Sequence, residues 1–192
     1  MLYELALGTL ENVDNKIASS FRNDFPELNQ LSAVDLKPSI LPIAASVLKV
    51  GNTAPSTISI VHEIQETYQS QQWRQPYQAD DFGLDFFNNT AWFPIADVEG
   101  PILFSKGLME IMLLEPNITY PNHKHSPEEL YVILAGNVWW QSDNQKACRK
   151  FAGEVIHHLP NVIHSIKAGN KPVLILNLWR RGSFEMPVIT NA

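Results

Sequence analysis

The chain has 192 residues, 45% of them hydrophobic and 18% charged, which supplies one globular domain with a sizeable core and argues against a disordered polymer or a two-domain enzyme. With 14 basic residues against 20 acidic ones the formal charge is −6, and there is no basic cluster beyond pairs such as Arg180-Arg181, so neither nucleic acid nor an anionic membrane surface is an expected partner. The single cysteine, Cys148, has no partner for an internal disulfide and cannot build an all-cysteine zinc site.

The N-terminal stretch MLYELALGTLENVDNK lacks the basic region and cleavage site of a signal peptide, and no apolar run reaches the roughly 20 residues that span a bilayer, so a soluble cytoplasmic protein is expected. From Leu2 to Phe21, apolar residues recur at three- and four-residue steps, the period of a one-sided helix, until Phe25-Pro26 breaks it. A second helix is predicted from Lys37 to Val50, stopped by Gly51-Asn52, and a third from Ser56, a candidate N-cap, to about Arg74.

The character changes near Gln75, after which no helix is predicted. The segment Trp73 to Asn89 mixes Trp73, Tyr77, Phe82, Phe86 and Phe87 with polar residues, and reads either as a lid over a pocket or as an irregular piece of barrel wall. Strands are predicted at Ala91–Ala96, Gly107–Leu114, Glu129–Ala135, Asn137–Gln141, Glu154–Leu159, Ser165–Ala168 and Val173–Trp179, spaced as in an antiparallel sandwich or barrel. Residues 1–75 are thus expected to be a helical extension packing on a β-barrel of residues 76–192, the whole forming one structural domain.

Five of the six histidines fall between His123 and His164. In an extended chain His123 and His125 project to one face, and a bend at Ser126-Pro127 brings Glu129 and Tyr131, at alternate positions of the next strand, over them. Two imidazoles and a carboxylate suit Zn²⁺, Fe²⁺, Mn²⁺, Ni²⁺ or Co²⁺. His164 completes the set, because it opens a return strand after a turn at Pro160-Asn161, where asparagine tolerates a left-handed conformation. His157 and His158 point to opposite faces of their strand and are read as structural residues or as supports behind the ligands. Glu128 is expected to face solvent at the turn, and Cys148 to be incidental.

The pattern HxHx₃Ex₆G (His123, His125, Glu129, Gly136), followed by His164 after a Pro-bearing turn, resembles the two signature motifs of the cupin superfamily over roughly residues 90–185. The leading glycine of the usual pattern is Asn117 here, and Leu159, Asn161 and Ala168 stand where Pro, Gly and Asn are usual. The resemblance implies a mainly β fold, a cupin double-stranded β-helix barrel preceded by an α-helical segment. A narrower likeness lies in Tyr120-Pro-x-His-x-His, Glu129-x-Tyr131, His164-Ser-Ile and Leu178-Trp179 behind a helical extension. This combination resembles the longer bacterial dimethylsulfoniopropionate (DMSP) lyase cupins.

That likeness implies one divalent metal ion (Zn²⁺, Fe²⁺ or Mn²⁺) held by His125, Glu129 and His164, with His123 as a fourth ligand or a pocket residue. It implies Tyr131, with Tyr120, as the catalytic residues, Tyr131 being the base that removes the proton α to the substrate carboxylate, and Tyr120, His123 and Trp179 as residues around a small zwitterionic sulfonium carboxylate. Dimethyl sulfide and acrylate would be the products. Aromatic faces of Trp179, Trp139, Trp140 or Tyr120 would hold the sulfonium. Two other readings stand beside it: another metal-dependent cupin enzyme, a dioxygenase or isomerase, and a non-catalytic small-molecule-binding cupin. Oligomeric state is not read from the sequence.

Overall fold

A computed structural model describes residues 1–143 and 145–190. Helices α1 (Leu2–Asn12) and α2 (Lys16–Arg22) lead into a short strand β1 (Ser32–Ala33), and a 3₁₀ segment at Pro42–Lys49 precedes α3 (Ile58–Thr67). Two short helices, α4 (Ala79–Phe82) and α5 (Leu84–Asn88), come before the main strands. These are β2 (Thr90–Asp97), β3 (Ile102–Leu103), β4 (Gly107–Leu114), β5 (Thr119–Lys124), β6 (Glu128–Ala135) and β7 (Asn137–Ser142). They continue with β8 (Cys148–Phe151), β9 (Val155–His158), β10 (His164–Ala168), β11 (Val173–Arg180) and β12 (Val188–Ile189).

The strands form two sheets, ordered β1-β3-β2-β4-β11-β6-β9 and β12-β5-β10-β7-β8, antiparallel except for the β2–β3 pair. The fold is mainly β, two sheets facing each other as a barrel, with the helices in the N-terminal part of the chain. Every residue of β6 and β11 is buried, because both faces of the larger sheet are covered. Residues at one parity, among them Leu130, Val132, Leu176 and Leu178, share a cluster with Leu10, Phe21 and Ile64 of the helices. Those at the other, among them Tyr131, Ile133 and Ile175, pack inside the barrel with Tyr77, Phe86 and Trp92.

Several predicted elements differ. The first helix is two, because Asn15 caps α2 by accepting from the amides of Ile17 and Ala18 at 2.8 and 3.2 Å, while the apolar stripe stays in phase across the break. The second begins at Pro42 rather than Lys37, since Pro38 and Pro42 lack an N–H and hold their predecessors extended. The third starts after Thr57, not Ser56. The Thr57 hydroxyl donates to the Leu134 carbonyl at 2.7 Å, tying the helix start to β6. α3 stops at Thr67, and the chain then turns to pair Arg74 with Trp92.

Helices α4 and α5 overturn the expectation of none after Gln75; each is about one turn long, too short to show a period. Strands β1, β3, β8 and β12, two to four residues each, escape prediction for the same reason. At the β6–β7 turn Gly136 has φ +85°, and a side chain on Gly51 would lie 2.7 Å from the Gly136 Cα, so the N-terminal segment crosses this hairpin backbone to backbone. Asn117 and Asn161 both occupy the left-handed region, at φ 65° and 62°, where the usual motif carries glycine.

Candidate metal centre and its cavity

Pairing of β5 with β10 sets His164 opposite His123, and the extended chain from His123 to His125 carries the second imidazole to the same place. All three rings are buried, and each has its Nδ1 on a backbone carbonyl two residues away. These carbonyls belong to Pro121 at 2.7 Å, Pro127 at 3.0 Å and Val162 at 3.0 Å. A carbonyl only accepts, so each Nδ1 carries the proton and each Nε2 presents a bare lone pair. None of the three Nε2 atoms has a hydrogen-bond partner, and they lie within 4.8 Å of one another.

Glu129 closes the cluster. Its Oε2 lies 3.2 Å from Nε2 of both His125 and His164, so that with both rings neutral and protonated at Nδ1 three acceptors face one another. Buried acceptors in this arrangement repel unless a cation sits among them. Donors bonded at about 2.1 Å to one ion lie about 3.0–3.4 Å apart, which matches the observed edges. The residues therefore fit a divalent metal ion with His125, Glu129 and His164 as ligands and His123 Nε2 within reach of the same position.

Two further residues hold the glutamate. Trp179 donates its indole N–H to Oε1 at 2.5 Å and packs over His125, with ring centroids 4.5 Å apart. His158 donates Nδ1–H to Oε2 at 2.6 Å and stacks on His164 at 3.6 Å. Burial alone would raise the Glu129 carboxyl, but His125, His158 and His164 outweigh it and hold the group well below the usual range. Burial and then His164 keep His123 neutral, well below an ordinary imidazole; burial also lowers His158, to about 4. For His125 burial is outweighed by Glu129, which raises the ring.

Of the adjacent histidines, His158 faces the cluster and His157 the outside. There His157 meets Glu128 at 2.8 Å, and Arg180 holds the same carboxylate at 2.9 Å from both Nε and Nη2. Glu128 was expected in solvent but is only 8% exposed, since the even positions of β6 face α2 rather than water. Arg180 also reaches Asp24 at 2.7 Å and lies 4.0 Å over the Phe21 ring.

A cavity of about 360 Å³ opens onto the Glu129 face of the cluster, and Tyr131, Tyr120 and Trp179 line it. Burial, followed by the Glu129 carboxylate, pushes the Tyr131 phenol well above its ordinary value. Burial does the same to Tyr120, whose ring stacks on His123 at 3.9 Å and whose hydroxyl is hydrogen-bonded to that of Tyr77. Tyr77 reaches this wall from the 73–89 segment, whose Phe82 and Phe86 also pack on Tyr120. In the sequence Tyr77 is one aromatic among several in that segment, and nothing there signals the Tyr120 contact.

Trp139 and Trp140 were expected as sulfonium-holding faces and do not line this cavity. Trp139 is 47% exposed on the far side of the smaller sheet, and Trp140 spends its N–H on His158. Sequence reading missed Glu110 and Asn177, which also line the cavity and are hydrogen-bonded at 2.9 Å. No motif carries them, because the pair forms only where β4 and β11 meet.

Residues 26–175 match the family model described as DMSP lyase. DMSP lyase DddQ of Ruegeria pomeroyi is 29% identical over 119 residues, which are 62% of this chain and 59% of that protein, so the match spans less than two thirds of its length. A structure reported under DMSP lyases RdDddP and RnDddQII superposes with a TM-score of 0.88 at 24% identity, over 99% of this chain and 96% of the other. The crystal structure of DddQ from Ruegeria pomeroyi gives 0.76 at 23% identity, over 95% and 96%. At these identities the structural likeness speaks for the fold. Among the described residues, no helix is long and apolar enough to cross a membrane.

Proposed function

The chain belongs to the DMSP lyase family, and from that premise we propose that it cleaves DMSP to dimethyl sulfide and acrylate, using one divalent transition metal ion (Zn²⁺, Fe²⁺ or Mn²⁺) held by His125, Glu129, His164 and His123. The observation that carries the reading is the set of three unpartnered Nε2 lone pairs beside Glu129, at the wall of a cavity that Tyr131 also lines. When bound, the ion supplies positive charge against the developing charge of a carboxylate substrate and against the burial that holds the Tyr131 proton in place.

Tyr131 acts as the base. Its phenolate takes the proton α to the substrate carboxylate, the C–H electron pair becomes the double bond of acrylate, and the C–S pair leaves with sulfur. The sulfonium departs as neutral dimethyl sulfide, so no residue need protonate it. Tyr120, engaged by Tyr77 and stacked on His123, holds the aromatic wall and the imidazole beneath it. Trp179 faces the substrate while fixing the Glu129 carboxylate.

The test is headspace gas chromatography on metal-loaded protein supplied with DMSP. Dimethyl sulfide release that a chelator stops supports the reading; no release from protein of verified metal content overturns it.

A further inference from the structure

Across the larger sheet, the pairing places Glu110, Asn177 and Tyr131 in one row on the inner faces of β4, β11 and β6. Trp179 and Glu129 form the row two residues further along β11. Two residues of strand and two strand spacings put the Cα atoms of Glu110 and Glu129 on the order of 12 Å apart. Two glutamate side chains reaching inward leave between them the length of a short-chain ligand.

The Glu110 carboxyl meets the cavity with a single protein partner, the Asn177 amide N–H at 2.9 Å. The Asn177 Oδ1 has no partner at all, although the residue is only 4% exposed. Lone pairs left over on a largely buried side chain are costly unless something of positive character meets them. The surrounding charge agrees. Asp97, Glu99, Glu110, Glu129 and Glu185 line the cavity, whereas the one cation among its described lining residues, Arg74, is already shared among Asp97, Gln72 and the Glu99 carbonyl. Aromatic faces of Tyr77 and Trp92 complete the lining beside Pro94.

An onium group with fully alkylated sulfur or nitrogen has no N–H or O–H to donate. Its recognition relies on charge, polarised methyl groups and aromatic faces, so unpaired acceptors beside Trp and Tyr suit it and donors do not. We propose that Glu110 and Asn177 form the onium-recognising end of the cavity, taking the cationic head of a zwitterion whose carboxylate faces the imidazole–glutamate cluster. The assignment of the carboxylate end rests on the reading given under Proposed function; the cationic end rests on Glu110 and Asn177 alone. Burial, only partly offset by Asn177, raises the Glu110 carboxyl to about 8, and an adjacent cation draws it back toward the ionised form.

The test compares two isosteric ligands on metal-loaded protein by calorimetry: 3-(trimethylammonio)propanoate, and 4,4-dimethylpentanoate, in which carbon replaces the charged nitrogen. Wild type is expected to prefer the onium by at least about tenfold, and Glu110→Gln to abolish most of that preference by weakening the onium while the carbon analogue binds no less tightly. If DMSP is turned over, Glu110→Gln should raise KM by a similar factor and alter kcat much less, because the sulfonium charge is still in place while the α-proton leaves and is bound alike in the ground and transition states. Equal binding of the two ligands by wild type overturns the proposal without reference to any variant, and so does a preference that survives in a folded Glu110→Gln protein. Onium preference in a protein that releases no dimethyl sulfide would overturn the lyase reading and leave this subsite standing.

Discussion

Trp140 donates its indole N–H to Nε2 of His158 at 2.8 Å, and that bond decides what His158 is able to do. With Nε2 occupied as an acceptor, the ring's proton lies on Nδ1, which gives it to Glu129. Both nitrogens are spent, so His158 supports the glutamate, whereas the stacked His164 keeps a free Nε2. Removing such a support costs 10- to 100-fold in metal affinity, as an order of magnitude. His158→Ala is therefore expected to weaken binding by about that factor, and Trp140→Phe by about the lower end of it. His125→Ala and Glu129→Ala are expected to purify with little metal. Competition against a graded chelator series measures all four; a His158→Ala protein as metal-poor as His125→Ala would make His158 a ligand.

The roles of the two cavity tyrosines separate by kinetics. Tyr131→Phe is expected to lower dimethyl sulfide release by about 10²- to 10⁴-fold with metal content unchanged, the usual loss when a positioned base is removed. Tyr120→Phe removes only the hydroxyl that Tyr77 holds and keeps the ring on His123, so a loss of no more than about tenfold is expected. Metal analysis beside each rate separates lost chemistry from lost cofactor. An active Tyr131→Phe enzyme would take that residue out of the base role.

Glu110 ties stability to pH. Its carboxyl is raised from 4.5 to about 8 in the folded chain, so the folded state binds the extra proton between these values. The associated stability is fully present below about pH 4.5 and is lost as pH rises through about 8. Glu110→Gln, which keeps the shape without titrating, should thus gain on wild type as pH rises from 5 to 8. Thermal melts of both proteins at matched metal content and without ligand provide the comparison. A gap in melting temperature that stays flat over this range would mean that Glu110 titrates normally.

Arg180 fastens the helical segment to the barrel. It is 6% exposed and bound to Glu128 and Asp24. Glu128→Ala strips this cation of its main buried partner, which costs about 3 kcal/mol where no other group replaces it. For a chain of this size that corresponds to a fall in melting temperature of roughly 6–12 °C. Glu128 lies on the sheet face opposite the cluster, so metal affinity should change little. Chemical denaturation with a parallel metal titration reads both quantities, and unchanged stability would show that Asp24 alone suffices.

Much of the site was legible in the sequence because its logic is local. Alternation in a strand puts His123 and His125 on one side and separates Glu129 from Glu128, and a turn at Asn161 returns the chain at His164. The strands with long apolar runs were legible for the same reason, and so were the short β9 and β10 beside their turn residues, while the one-turn helices and the two-residue strands carried too few side chains to show a period and β5, TYPNHK, too few apolar ones. The direction of Glu128 was misjudged because a charged residue at a turn reads as solvent-facing until something is known to cover that face.

What the sequence determined by itself was that His123, His125 and Glu129 gather on one side of a β-rich segment, since strand alternation depends on residues within a few positions of one another; the pairing of β5 with β10 then decided that His164, 41 positions beyond His123, joins them. Tertiary structure decided which nitrogen of each imidazole stays bare, which of two adjacent histidines faces inward, and that Tyr77 reaches Tyr120. It also decided that Glu110 meets Asn177 across 67 positions of chain. These depend on which strand lies beside which and in what register. That choice is made by burying both faces of the larger sheet at once, and no short stretch of sequence contains it.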